Sequence, residues 1–270
     1  MTTIARTEAL KEKRPLQPIA ANGWRGGFNN LLRKELGQWW KTRTWWVQIL
    51  IWVLILNGVS TIVALTEALA PAELLQEVVQ TFLPLGIGTV GMGTVIVVQG
   101  AIVGEKQLGT AAWVMSKPAS RAAFVLTKAL SYTIGFWTTA IIVPSIIFVI
   151  VTRQVVPAPL ALTPFLLGLA VWALAQLFYL MLTLMLGTLF NSRGPIAGIG
   201  IALIMAGLLL KGFIPFTVSM FTPWLLPDLS AALTLNMPLP DNWFVPLIAT
   251  TCGIVIFTAV ALWRFAREEF

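Results

Sequence analysis

Six apolar runs, each long enough to cross a bilayer, constrain this chain more than any single motif in it. A helix needs about 20 mostly apolar residues to span a hydrocarbon core of about 30 Å. Residues 45–65, 82–103, 122–152, 165–190, 195–216 and 244–265 meet that requirement. The third run is long enough to extend beyond the bilayer, and Pro144 inside it is expected to kink the helix or shift its hydrogen bonding. The fifth is short unless it continues through Phe216. Of all residues 57% are hydrophobic and 11% charged, whereas a soluble domain carries about 25% charged residues. The expected fold is therefore all-α, a polytopic membrane protein with six transmembrane helices and both termini on one side.

The charges orient it. Of the 18 Lys and Arg residues, all but Arg153 and Lys211 fall before the first span, in the second-to-third and fourth-to-fifth loops, or at the C-terminus. The remaining loops carry Glu67, Glu73, Glu77, Asp228 and Asp241. Basic loops stay in the cytoplasm, so both termini are expected there, in a multi-pass protein of the plasma (inner) membrane. Arg153 and Lys211 sit near helix ends, where interfacial anchoring is favoured over an outer gate. The net charge of +7 is spread through loops as orientation requires, which argues against a nucleic-acid partner and leaves the lipid bilayer.

Residues 1–27 are polar and basic and lack a short apolar core with a cleavage site. They read as a cytoplasmic tail, not a cleaved signal peptide. From about 28 to 43 the pattern is that of an amphipathic interfacial helix. Asn29 or Asn30 can cap it. Phe28, Leu32, Leu36 and Trp39 form its apolar face, and Arg33, Lys34 and Lys41 lie off that face. Gly37 and the cluster Trp39, Trp40, Trp45 and Trp46 favour a bend at headgroup level. The simpler reading is that this stretch is the inner end of the first span. Residues 212–243 are apolar yet broken by five prolines. They are expected to form a partly embedded outer hairpin with a short helix over 228–235, either a cap on a pathway or a packed lid.

Within the spans, Gln48, Asn57, Gln99, Gln176 and Tyr179 are uncharged polar groups that must bond a neighbouring helix or line a wet cavity. Gly86, Gly88, Gly91 and Gly93 crowd the second span. Gly194 with Gly198, and Ala202 with Ala206, are small residues four apart in the fifth. Small residues let helices approach closely, so these two spans are candidates for contacts within or between subunits. Asn57, Gln99, Gln176, Gly91 and Gly198 are the candidate pathway or helix-contact residues.

Catalytic machinery is not expected. The chain has no His and one Cys, Cys252, which removes histidine nucleophile pairs, disulfides and the usual metal sites. No Gly-x-x-x-x-Gly-Lys-[Ser/Thr] phosphate loop is present, and no chain of intramembrane acids suggests a proton relay.

The stretch between the second and third spans, 104–121, is too long and too ordered in its pattern for a simple turn. Leu108, Ala111, Ala112 and Met115 have the spacing of one helical face. Glu105 sits near the start of that helix, on the favourable side of the dipole. Pro118 should end it, and Ser120 can cap the next helix. Read from these residues alone, this is a small amphipathic helix, with a plain orienting loop as the alternative.

The order Glu105, Gly109-Thr110, Ser116-Lys117-Pro118, Arg121 and Lys128 resembles the permease subunits of ATP-binding-cassette (ABC) transporters, in the type-2, exporter-like family. There an acid-x-x-x-Gly-Thr segment precedes Pro-x-x-Arg and a later Lys. Here Lys106-Gln107-Leu108 stands where a second acid is expected. The resemblance implies that the loop holds a coupling helix that docks on a separate cytoplasmic ATPase. The coupling residues would be Glu105, Lys106, Leu108, Gly109, Thr110, Trp113, Pro118 and Arg121. It also implies two ATPase chains per complex, carrying the ATP and magnesium, and a second permease chain, identical or related. The chain itself then needs no cofactor. A different class stays open: a non-transporting anchor or assembly protein that holds a cytoplasmic partner through its basic loop. A secondary carrier is a weaker third. The scarcity of charge in the spans favours a lipidic, amphipathic or uncharged cargo over a small ion.

Overall fold

A computed structural model describes residues 23–116 and 119–269. The expected tail up to residue 22, together with Lys117 and Pro118, lies outside the described residues. The described residues are mainly helical and contain no strand. Its helices are α1 (Phe28–Trp40), α2 (Thr44–Thr66), α3 (Pro71–Val98), α4 (Val103–Gln107), α5 (Thr110–Met115), α6 (Arg121–Val155), α7 (Leu162–Leu189), α8 (Arg193–Leu210), α9 (Leu226–Thr234) and α10 (Val245–Ala266). Six of these, with α3 and α4 forming one run, are long and apolar enough to cross a membrane. The chain is a multi-pass membrane protein.

The helix bounds differ from the apolar runs in instructive places. α3 begins at Pro71, well before residue 82. Its first turns alternate as an amphipathic helix does: Leu74, Val78 and Val79 are buried while Glu73 and Glu77 are exposed. The acids read as loop residues are the outer face of a packed helix. α8 stops at Leu210, short of Phe216, and a single turn (Phe216–Ser219) follows the break at Pro215. α1 starts at Phe28, with Gly27 in the left-handed region (φ 72°) at its N-cap, not Asn29 or Asn30. Its buried line is Leu31, Glu35 and Trp39, turned from the expected Leu32–Leu36 line because an acid on α1 meets a buried lysine of α6.

α7 is the central helix, packed against α3, α9 and α10. The core between its first half and its neighbours is aromatic. Phe82 stacks on Phe148 at 3.9 Å between ring centroids, Phe148 on Phe165 at 5.6 Å, and Trp172 meets Phe82 edge-on at 5.7 Å. Such pairs add about 0.5–1.5 kcal/mol each beyond area burial. Pro144 leaves the α6 hydrogen bonding shifted into a π-turn over Trp137–Ile142, and α2 has its own π-turn at Val53–Asn57. The two turns belong to adjoining helices, bridged where the Asn57 side-chain amide donates to the Pro144 carbonyl at 3.2 Å.

A charged platform at the basic end

The segment after α3 folds as two short helices, not the single helix 105–115 that the spacing suggests. α4 ends at Gln107 with Leu108 as its C-cap, and Gly109 follows with φ 69°, a left-handed residue that closes one helix and precedes the next. Glycine takes this conformation without steric cost. The Gly109 N–H donates to the Lys106 carbonyl at 3.1 Å and the Thr110 hydroxyl to the Glu105 carbonyl at 3.2 Å. α5 then runs to Met115, and Ser120 caps α6 by accepting from the Ala123 N–H at 2.9 Å.

Ion pairs fix α4 to its surroundings. Lys128 of α6 is 2% exposed. Its Nζ lies 2.8 Å from Glu105 Oε1 and 3.1 Å from Glu35 Oε1 of α1. Lys34 Nζ approaches the same Glu105 oxygen at 3.1 Å. On the other side Lys106 Nζ lies 2.7 Å from Glu268 Oε1, and Glu268 Oε2 pairs with Arg264 at 3.1 Å. Gln107 donates to the Asn191 carbonyl at 2.8 Å, and the Arg121 guanidinium donates to the Ala266 carbonyl. The Ser120 N–H donates to the Gly26 carbonyl at 2.9 Å. The segment is therefore tied to α1, α6, the end of α10 and the turn before α8. Burying charges is costly, and removing one partner of a buried pair leaves the other uncompensated, at about 3–5 kcal/mol.

Glu105 thus spends its carboxylate on Lys128 and Lys34 of its own chain; it does not cap α5. Sequence reasoning singled out Glu105 and Lys128 but missed Glu35. The available signal was one acid beside Lys34 in an otherwise basic helix.

What the clamp leaves outside is apolar. Ala111 and Val114 are buried and Met115 packs on the core, whereas Leu108 is 78% and Trp113 62% exposed. Leu108 does not share the inward face with Met115, because the break at Gly109 turns α4 away from the register of α5. Gly109 and Thr110 are exposed beside them.

The candidate residues within the spans do not converge on one site. Gln176 is 1% exposed and donates to the Thr94 hydroxyl at 3.1 Å. Asn57, at the end of the α2 π-turn, donates to the Pro144 carbonyl just past the α6 π-turn. Gly91 lies under Tyr179, whose ring would be 3.0 Å from a Cβ placed there. Gly198 faces away from the bundle, with nothing within 4 Å of its Cβ position. Gln99 donates to the Ile96 carbonyl at 2.9 Å and lines a polar cavity of about 380 Å³ at the basic end. No group of three or more Asp, Glu, Cys or His side chains among the described residues is placed to hold a metal ion. No protein-family model matches the chain, and no curated protein matches it.

Proposed function

We propose that this chain is the transmembrane permease subunit of an export-type ABC transporter, forming a substrate pathway with a second permease chain and driven by a separate pair of cytoplasmic ATPases. The observation that carries the reading is the pairing of an exposed Leu108–Trp113 tip with a buried ion-pair clamp beneath it. A lever needs a contact surface and a stiff mounting. Leu108 and Trp113 offer apolar contact, with Gly109 between them allowing close backbone approach. Glu105, Lys106 and Arg121 pass a push on that tip to α1, α6 and α10. In this reading the basic end is cytoplasmic, α1 lies along the inner interface, and the 212–243 segment caps the outer end. ATP and magnesium act in the partner, whose closure draws two such tips together and switches access between the helices.

The test is the composition of the purified complex. It should contain two permease-type chains and two ATPase chains, with activity that depends on nucleotide. A lone monomeric chain that performs its full function without nucleotide would remove the transporter reading.

A further inference from the structure

Tyr179, near the middle of α7, is 4% exposed, and among the described residues its hydroxyl has no hydrogen-bond partner. Two other α7 groups without partners, Trp172 Nε1 and Gln176 Oε1, are sealed inside protein; the Tyr179 hydroxyl is not. Tyr179 faces a crevice of about 220 Å³ between α3, α7, α8 and the turn before α9. The crevice runs from Tyr179 and Ile204 to Lys211 and Asp228 at the end opposite the platform, a rise of about 10 Å along α8. Its walls are largely apolar, with Pro84 and Ile87 on α3 and Ile204 and Leu208 on α8. The Trp224 indole lies across Gly207, where a Cβ would strike it, and spends its N–H on the Leu203 carbonyl at 3.0 Å. Lys211 and Asp228 pair with each other at the mouth. Gly88 also lines the crevice and has nothing within 4 Å of its Cβ position.

We infer that this crevice binds a small uncharged alcohol, with its hydroxyl at Tyr179 and its apolar body toward the mouth. Apolar walls around one aimed polar group are the usual form of a small-molecule site. The polar group decides what fits. Water suits the foot poorly, because a buried water needs about two to four polar partners and Tyr179 supplies one. A lipid acyl chain would leave the phenol unpaired, which costs more than its hydrogen bond contributes. A charged group would find no counter-ion at the foot, since the only charged side chains in the lining are Lys211 and Asp228, already paired at the mouth. Burying such a charge is costly. A ligand hydroxyl can accept from the phenol or donate to it, and brings no charge. The volume is below the roughly 300–1,000 Å³ of drug-sized pockets, so it admits a small molecule and not a whole lipid. The inference does not depend on what the platform docks.

The test photolabels the full chain in detergent with azi-octanol, a pentyl diazirine bearing a hydroxyethyl arm, and with the same diazirine bearing ethyl instead. Labelled peptides are mapped and quantified against probe concentration. Azi-octanol should label the crevice saturably. Its half-saturation should lie about threefold to tenfold below that of the hydroxyl-free probe, the worth of one neutral hydrogen bond. Tyr179→Phe should bring the two probes level, because the ring stays and the hydroxyl goes. Tyr132→Phe, at the basic end, should keep the difference. Gly88→Leu should fill the crevice and abolish saturable labelling by both probes. Equal half-saturation in the parent, or a Tyr179→Phe chain that keeps the difference, would overturn the role of the hydroxyl and with it the ligand class. Labelling by both probes that only rises in proportion to concentration would overturn the site. The matching azi-octanoate, if it bound as tightly as azi-octanol, would overturn the requirement for an uncharged ligand.

Discussion

At the basic end the helices meet through charge; at the opposite end they meet through packing. Lys128, Glu35 and Glu105 come from α6, α1 and α4, with side chains 3%, 4% and 15% exposed. At the opposite end α9 seats against α3 and α7 with Leu226 and Leu229 buried. Ser230 donates to the Gly168 carbonyl at 2.9 Å, and the Trp224 indole donates to the Leu203 carbonyl at 3.0 Å. The ion pair there, Lys211 with Asp228, has side chains 33% and 60% exposed. A charge joint is directional and fails when one member is lost. A packed joint tolerates loss of charge but not added volume. The first suits a part that must transmit force to its neighbours, the second a part that must stay closed.

The largest expected effect is all-or-none. In a Cys252→Ala background, single cysteines at Glu73 and Asp241 should react with an impermeant thiol reagent in intact cells. One at Gln107 should react only after the membrane is opened. The reverse pattern would exchange the two ends.

Next comes the cost of breaking each joint. Lys128→Met should destabilise the chain by about 3–5 kcal/mol, because Glu35 stays buried without its main partner. Lys211→Met should cost no more than about 1 kcal/mol, as exposed pairs do. Thermal melting in detergent measures both. Combining Lys128→Met with Glu35→Leu should recover part of the loss, since an apolar pair of similar volume can replace a buried ion pair. Equal costs at the two ends would dissolve the contrast.

Added volume should act the other way. At Gly168 a Cβ would meet Thr234 Oγ1 at 2.2 Å and the Ser230 carbonyl at 2.8 Å, and backbone cannot step aside. Gly168→Ala should cost about 1–3 kcal/mol. Gly198→Ala, with open space around it, should be neutral within about 0.5 kcal/mol. The same melting series distinguishes them.

The six apolar helices were legible because lipid demands long apolar runs whatever the partners are. The start of α3 was not, because Glu73 and Glu77 look like loop until Leu74 and Val78 are seen on the opposite face. Ser120 as a cap was legible, being a local rule. The break at Gly109 was hidden because Leu108, Ala111, Ala112 and Met115 satisfy a helical period that the backbone does not follow. Glu35 could not be found from hydrophobic period, and only its place as the one acid in α1 marked it. Hydrophobic periodicity counts an acid as an outward residue, and its partner Lys128 lies 93 positions away.

The central claim is that the tip at Leu108–Trp113 is the docking point and that its stiffness matters. The most direct measurement is ATPase co-purification, with nucleotide hydrolysis, for Gly109→Val and Trp113→Ala beside Asp228→Ala and Leu229→Ala. Gly109→Val forces a side chain into a left-handed residue and Trp113→Ala removes exposed apolar contact. An interface hot spot is worth about 2 kcal/mol, so each should weaken ATPase binding by more than about tenfold. Membrane insertion should stay normal, and both α9 variants should bind as the parent does. If Gly109→Val and Trp113→Ala chains retain the ATPase and its hydrolysis at parental levels, the platform is only a well-tied turn and the docking account is wrong.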